Sequence, residues 1–250
     1  MAILLGFLIA IAIGVTGVGG GILTAPILIL FLGVPPLEAV TVSLLFAAAV
    51  KFLIAPAYLW RGQVDFHSLG RLLMGGLPGV LLGSFLLQRL NSAGQSGVVS
   101  AVLGATIVVT AGINLFRMWK RPVLAAGRRE GARWLPLLAL PIGTEVGFSS
   151  AGAGALGTIA LMSLTSLTPT QVVATDVCFG LVLSLIGGGF HLSAAHYTPS
   201  ILWPLLAGGV VGGAFSVYVA GIVPARPLRA VLSMWLMAIG VQLCWRGMGL

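Results

Sequence analysis

Two glycine-rich interruptions limit what this chain can become. Residues 14–21 read G-V-T-G-V-G-G-G, and residues 147–154 read G-F-S-S-A-G-A-G. Residues 1–13 and 22–32 are apolar runs on either side of the first interruption. A spanning helix needs about 20 apolar residues, and both runs fall short. Glycine disfavours helix, so the pattern predicts two half-helices joined through an unwound break. Broken backbone at membrane depth survives only where protein or a water-filled cavity satisfies its polar groups. Paired breaks in the two halves of a chain point to the binding site of a transporter.

Composition sets the solvent. Of 250 residues, 58% are hydrophobic and 7% charged, with a mean hydropathy of +1.12. A soluble domain carries about 25% charged residues. The chain therefore reads as an all-α, polytopic, multi-pass protein of the cell membrane, with the lipid bilayer as a partner. Its net charge of +8 lies mainly in loops, which suits the positive-inside rule and excludes nucleic acid as a partner. Cys178 and Cys244 sit inside apolar segments, where they read as packing residues, and no metal-ligand spacing occurs. No basic stretch precedes the first apolar run, so no cleaved leader is expected. Residues 152–157 match G-x-G-x-x-G, but that pattern has meaning only after a strand in a βαβ unit. Neither H-E-x-x-H nor G-x-S-x-G occurs. No cofactor is expected, and the chain is not read as an enzyme.

The pattern repeats. An ungapped shift of 133 residues aligns Gly14 with Gly147, Gly21 with Gly154, Pro36 with Pro169, Phe46 with Phe179, Gly75 with Gly208 and Gly79 with Gly212. Two tandem repeats follow, each a re-entrant hairpin broken at its glycines plus about three transmembrane helices. The first covers residues 1–116, with spans at about 37–60, 68–90 and 96–116. A basic cytoplasmic linker covers 117–134. The second repeat covers 135–250, with a broken segment at 135–164 and spans at about 170–192, 200–222 and 228–245. Three crossings per repeat invert the second copy relative to the first. Inversion puts ten cations on the linker side, and parallel repeats put nine there.

A helix N-terminus carries unpaired N–H groups and about half a positive charge. Gly17, Gly19, Gly20 and Gly21 would bring such groups to an anion, as would Gly152 and Gly154 in the second copy. Thr16, Ser149 and Ser150 would add hydroxyl donors. Charges inside spans are costly and should face a cavity or a partner. Lys51 and Asp176 fall on equivalent long helices, and inversion would bring them to similar depth as a charge pair. Ser43 holds the position of Asp176 in the first copy, and it joins the candidate site. Glu145 is a third charge within an apolar segment. Glu38 and Gln171, just after the equivalent prolines, read as helix-capping residues. His191 and His196 read as interfacial residues near a span end.

These residues together resemble the sulfite exporter TauE/SafE family. The resemblance rests on G-V-T-G-V-G-G-G, on Pro36-Leu37-Glu38-Ala39, on S-A-G-A-G in the second half and on Ala174-Thr175-Asp176. This chain has Thr41-Val42-Ser43 where the family commonly shows Gly-Thr-Ser, and Ala174 where it commonly shows glycine. The resemblance implies a secondary transporter exporting sulfite or a small organosulfur anion such as a sulfonate. An anion channel of the same architecture is the alternative, and a membrane enzyme or accessory subunit is a further one. A homo-oligomer is compatible with the sequence.

Overall fold

The computed structural model describes residues 2–16, 20–119, 129–151, 154–194, 199–219 and 225–247. They form ten α-helices, one short 3-10 helix at Arg129–Trp134 and no strand among the described residues. Helices α1 (Ala2–Thr16) and α2 (Gly20–Phe31) flank the first glycine stretch. Three long helices follow: α3 (Pro36–Trp60), α4 (Phe66–Ser92) and α5 (Ser96–Trp119). The order then recurs with α6 (Leu135–Ser149), α7 (Leu156–Leu164), α8 (Pro169–Ala194), α9 (Pro199–Val219) and α10 (Ala225–Gly247). The six longer helices α3, α4, α5, α8, α9 and α10 each contain a stretch long and apolar enough to cross a bilayer. The chain is thus a multi-pass helical membrane protein.

Local chemistry sets the boundaries of the long helices. Asp65 caps α4 by accepting from the Ser68 N–H at 3.1 Å. At α8, Thr168 and Gln171 form a reciprocal capping box, with Gln171 Oε1 accepting from the Thr168 N–H at 3.1 Å. The capping role expected of Gln171 is therefore present. At α3 the N-cap is Pro35, which has no side chain to offer, and Glu38 lies in the first turn.

Helices pack through glycine faces. A side chain at Gly75 would strike the Pro136 carbonyl of α6, and one at Gly79 would strike the Leu140 carbonyl. Likewise, a side chain at Gly208 would strike the Ile3 carbonyl of α1, and one at Gly212 the Phe7 carbonyl. Backbones this close are the small-residue packing of membrane helices. In both pairs the contacts advance together along the two chains, so α4 runs parallel to α6 and α9 parallel to α1.

Other pairs run in opposite directions. Gly97 approaches the carbonyl of Gly247 and Gly104 that of Gly240, so α5 and α10 are antiparallel. Gly187 and Gly188 of α8 approach Leu44 early in α3, while Asp176 early in α8 interacts with Lys51 late in α3. Helices α3 and α8 are therefore antiparallel as well. Phe46 and Phe179 are both fully buried, the first ring against Gly209 and the second against Gly76.

Two large apolar cores result, beside a small cluster of Ala55, Val64, Ala174 and Cys178. One joins α1, α2 and α3 to α9 and α10 through Ile22, Leu28, Phe46, Leu205 and Leu236. The other joins α6, α7 and α8 to α4 and α5 through Leu72, Val80, Leu103, Leu135 and Phe179. Each core draws on both halves of the chain. Large apolar side chains such as Leu82, Phe85, Val211 and Val241 remain exposed on the outside, as a lipid-facing surface requires.

Candidate functional site

The second glycine stretch carries two residues with positive φ, Ser150 and Gly154. α6 ends at Ser149, and Ser150 caps it with φ 60° and ψ 6°. That left-handed conformation usually belongs to glycine at a helix C-terminus. Ser150 is the single non-glycine residue with positive φ among those described. Such outliers persist where the surroundings over-determine them. Here the surroundings are the other break: Ser150 Oγ donates to the Gly21 carbonyl at 3.1 Å. Gly21 is needed there, since any side chain on it would overlap the Ser150 carbonyl. The two interruptions, 129 residues apart, are in direct contact.

The neighbouring hydroxyl turns inward. Ser149 Oγ donates to the Glu145 carbonyl at 3.0 Å and accepts from the Ala151 N–H at 3.3 Å. Both serines thus place their hydroxyl hydrogens on carbonyls of the chain. Ser43 does the same, donating to the Ala39 carbonyl at 2.6 Å. Thr16 is the last residue of α1 and Gly20 the first of α2. The expected contributions of Gly17, Gly19 and Gly152 lie outside the described residues, as does that of the Thr16 side chain.

Helix α7 begins against a carboxylate of the chain itself. Asp176, only 4% exposed, projects from α8 over the first turn of α7. Its Oδ2 accepts from Thr158 Oγ1 at 2.9 Å, and the Gly154 backbone is a further hydrogen-bonding partner of the carboxyl. Gly154 has φ 108°, and a side chain on Gly157 would collide with Asp176 Oδ1. The start of α7 is thus covered by a carboxyl group of the chain itself. At α2 the equivalent position holds Ser43, which supplies no carboxylate. The two helix starts therefore differ in the side chain that the equivalent position brings to them.

Lys51 is half-buried on α3 and interacts electrostatically with Asp176. The two charges are neighbours, but Asp176 Oδ1 has no hydrogen-bond partner among the described residues, so Lys51 does not bond to it. Beside Asp176, Thr175 accepts the Asp65 N–H at 3.0 Å, which ties the α3–α4 loop to α8.

His191 departs from its expected interfacial place. The ring is completely buried, with Nε2 2.9 Å from the Gly147 carbonyl. A carbonyl only accepts, so Nε2 carries the hydrogen. The cause is the early end of α6: its last carbonyls have no intrahelical partner. Gly147 O takes His191 and, more weakly, Ser84 Oγ at 3.4 Å. His196 lies outside the described residues. Glu145 accepts a hydrogen bond from Thr110 Oγ1 of α5. Thr158, Thr110, His191 and Ser84 had no local signal in the sequence, because each is joined to the site only by helix packing.

Comparisons with known proteins agree with this architecture. Residues 2–243 match the family model described as sulfite exporter TauE/SafE. The chain is 27% identical to the "Probable membrane transporter protein YjnA" of Bacillus subtilis, covering 96% of this chain and 98% of that one. It is 23% identical to "Probable membrane transporter protein YunE" of the same organism, over 98% and 97% of the two chains. A "Probable membrane transporter protein" of Xylella fastidiosa is 25% identical, over 96% and 93%. No solved structure matches. With six helices long and apolar enough to cross a bilayer among the described residues, contact between the two glycine stretches and a match over nearly its whole length, the chain belongs to the sulfite exporter TauE/SafE family of membrane transporters.

Proposed function

We propose that the protein is a secondary transporter that exports sulfite or a small sulfonate-type anion across the cell membrane. Its site lies where the two glycine breaks meet. The observation that carries this reading is the contact of Ser150 with Gly21, which sets the start of α2 against the end of α6. A half-helix N-terminus buried between two repeats can hold an oxyanion on backbone dipoles, with no full charge to bury when empty. Because Asp176 occupies the start of α7, the anion belongs at the α2 end, near Gly20, Gly21 and Ser150. Lys51 supplies the nearby positive charge.

The framework is two inverted repeats, residues 1–116 and 135–250, joined by the basic linker 117–134. Each repeat is a re-entrant hairpin followed by three crossings. The sequence offset supports this, and so do the helix directions. Under the offset α3 corresponds to α8 and α5 to α10, and both pairs are antiparallel. Equivalent helices of parallel repeats would run the same way.

Flux into liposomes tests the function. Purified protein should give saturable counterflow of labelled sulfite or a labelled sulfonate. Linear, non-saturating flux without counterflow would indicate a channel. No flux of any small oxyanion would remove the transport reading.

A further inference from the structure

We propose that Asp176 is a proton-binding site of the carrier, so that the transported anion and one proton are bound together. The proposal rests on the anion site described above for its consequence, and on the hydrogen inventory around Asp176 for its existence.

Thr158 Oγ1 lies 2.8 Å from the Gly154 carbonyl and 2.9 Å from Asp176 Oδ2. A hydroxyl has one hydrogen to donate, and both neighbours are acceptors when Asp176 is ionised. One of the two contacts then sets lone pair against lone pair. A single added proton on Oδ2 completes the chain. The Asp176 O–H donates to Thr158 Oγ1, whose own hydrogen goes to the Gly154 carbonyl. The proton comes from water and returns to it, and only an O–H bond is made or broken.

The other oxygen makes the same demand. Asp176 Oδ1 is buried, has no hydrogen-bond partner among the described residues and rests against Gly157. An ionised carboxylate spreads its charge over both oxygens, and a charged acceptor without a donor is costly to bury. As the carbonyl oxygen of a neutral acid, Oδ1 carries less charge. The hydrogen bond with the Gly154 backbone works the other way, since it favours the charged carboxylate.

The surrounding charges give the proton its link to the anion. Helix α8 packs against α3, α4, α6 and α7. From α3 comes Lys51, in electrostatic contact with Asp176. The loop before α4 brings Asp65, whose carboxylate is engaged with Ser68, and α6 brings Glu145, engaged with Thr110. Helix α7 carries no charged residue. With Asp176 ionised, it and Lys51 sum to zero. Protonation leaves the Lys51 charge and the start of α7 uncompensated, and a monovalent anion restores neutrality. Each ligand therefore favours the other, and the coupling is reciprocal.

A related arrangement at Glu145 gives its carboxyl the same demand for a proton, so the two carboxyls are separated by substitution. Thr110 Oγ1 lies between the Thr106 carbonyl, at 2.6 Å, and Glu145 Oε1. Infrared spectra of the purified protein, recorded between about pH 8 and about pH 5, should contain the C=O stretch of a buried protonated carboxyl. Asp176→Asn should remove the component of that band due to Asp176, and the same component should persist in Glu145→Gln, which removes any contribution from Glu145. Thr158→Ala removes the acceptor of the Asp176 O–H and should shift the band, which tests the assignment if Asp176→Asn does not fold. Thermal stabilisation by methanesulfonate should strengthen as pH falls in the parent, with apparent affinity rising up to about tenfold per pH unit. In Asp176→Asn it should be independent of pH. An Asp176 that stays ionised across the range overturns the proposal, as does binding that depends on sodium and not on protons. If no anion stabilises the parent protein, the transport reading fails, and the infrared band still decides the protonation of Asp176.

Discussion

Ser150 holds a backbone conformation its side chain disfavours, and its hydroxyl is the link between the two breaks. The substitution Ser150→Gly separates those two facts. Glycine adopts the left-handed cap without strain, which offsets the lost hydrogen bond of about 1 kcal/mol. The melting temperature should therefore change little while transport falls sharply, measured by thermal unfolding and liposome flux on the same preparation. Retained flux would make the hydroxyl a packing detail. Gly157 permits a second separation. A methyl group there takes the space of Asp176 Oδ1, so Gly157→Ala should displace the carboxyl and cost roughly 1–3 kcal/mol. Gly70 faces open space on α4 and serves as the control, since Gly70→Ala should be nearly neutral or slightly stabilising.

Among the elements, the short helices were legible from glycine content and run length, because those express local propensity. The helix limits around the second glycine stretch fall where the sequence placed them: α6 stops at Ser149, and α7 starts at Leu156. The six longer helices follow from hydropathy, and their limits moved by only a few residues; α10 starts at Ala225, ahead of the expected 228. The partners of the charges were not legible. Glu145 finds Thr110, and Asp176 finds Thr158, only once helices from distant parts of the chain are packed. Nor could the sequence distinguish a glycine N-terminus left open from one filled by a carboxylate of the next helix. The glycine faces did carry a usable signal. Gly75 and Gly79 meet α6 through the same register by which Gly208 and Gly212 meet α1. Gly79→Leu and Gly212→Leu should thus each separate a helix pair and lower stability by similar amounts, on the order of 1–3 kcal/mol or more. Unequal losses in thermal unfolding would mean that the two docking surfaces are not equivalent.

At the scale of the whole molecule, the number of crossings per repeat decides the direction of the second copy. An even number returns the chain to its starting side and makes the repeats parallel; three crossings invert them. Each pair of short helices ends in a short connection to the next long helix, at Gly33 in the first half and Ser166 in the second. These positions are equivalent under the 133-residue offset, and both are exposed. Inversion puts them on opposite faces of the membrane, Gly33 outside and Ser166 on the side of the basic linker. Single cysteines can be placed at each in a background lacking Cys178 and Cys244. The strain of a side chain at Gly33, with φ 66°, is about 1–2 kcal/mol, and no neighbouring atom obstructs it. An impermeant thiol reagent on intact cells should label Gly33→Cys, and Ser166→Cys should react only after permeabilisation. Labelling of both from the same face would require a hairpin that crosses the membrane. The antiparallel pairs α3 with α8 and α5 with α10 would then have no topological cause, and the anion site between facing half-helices would have to be abandoned.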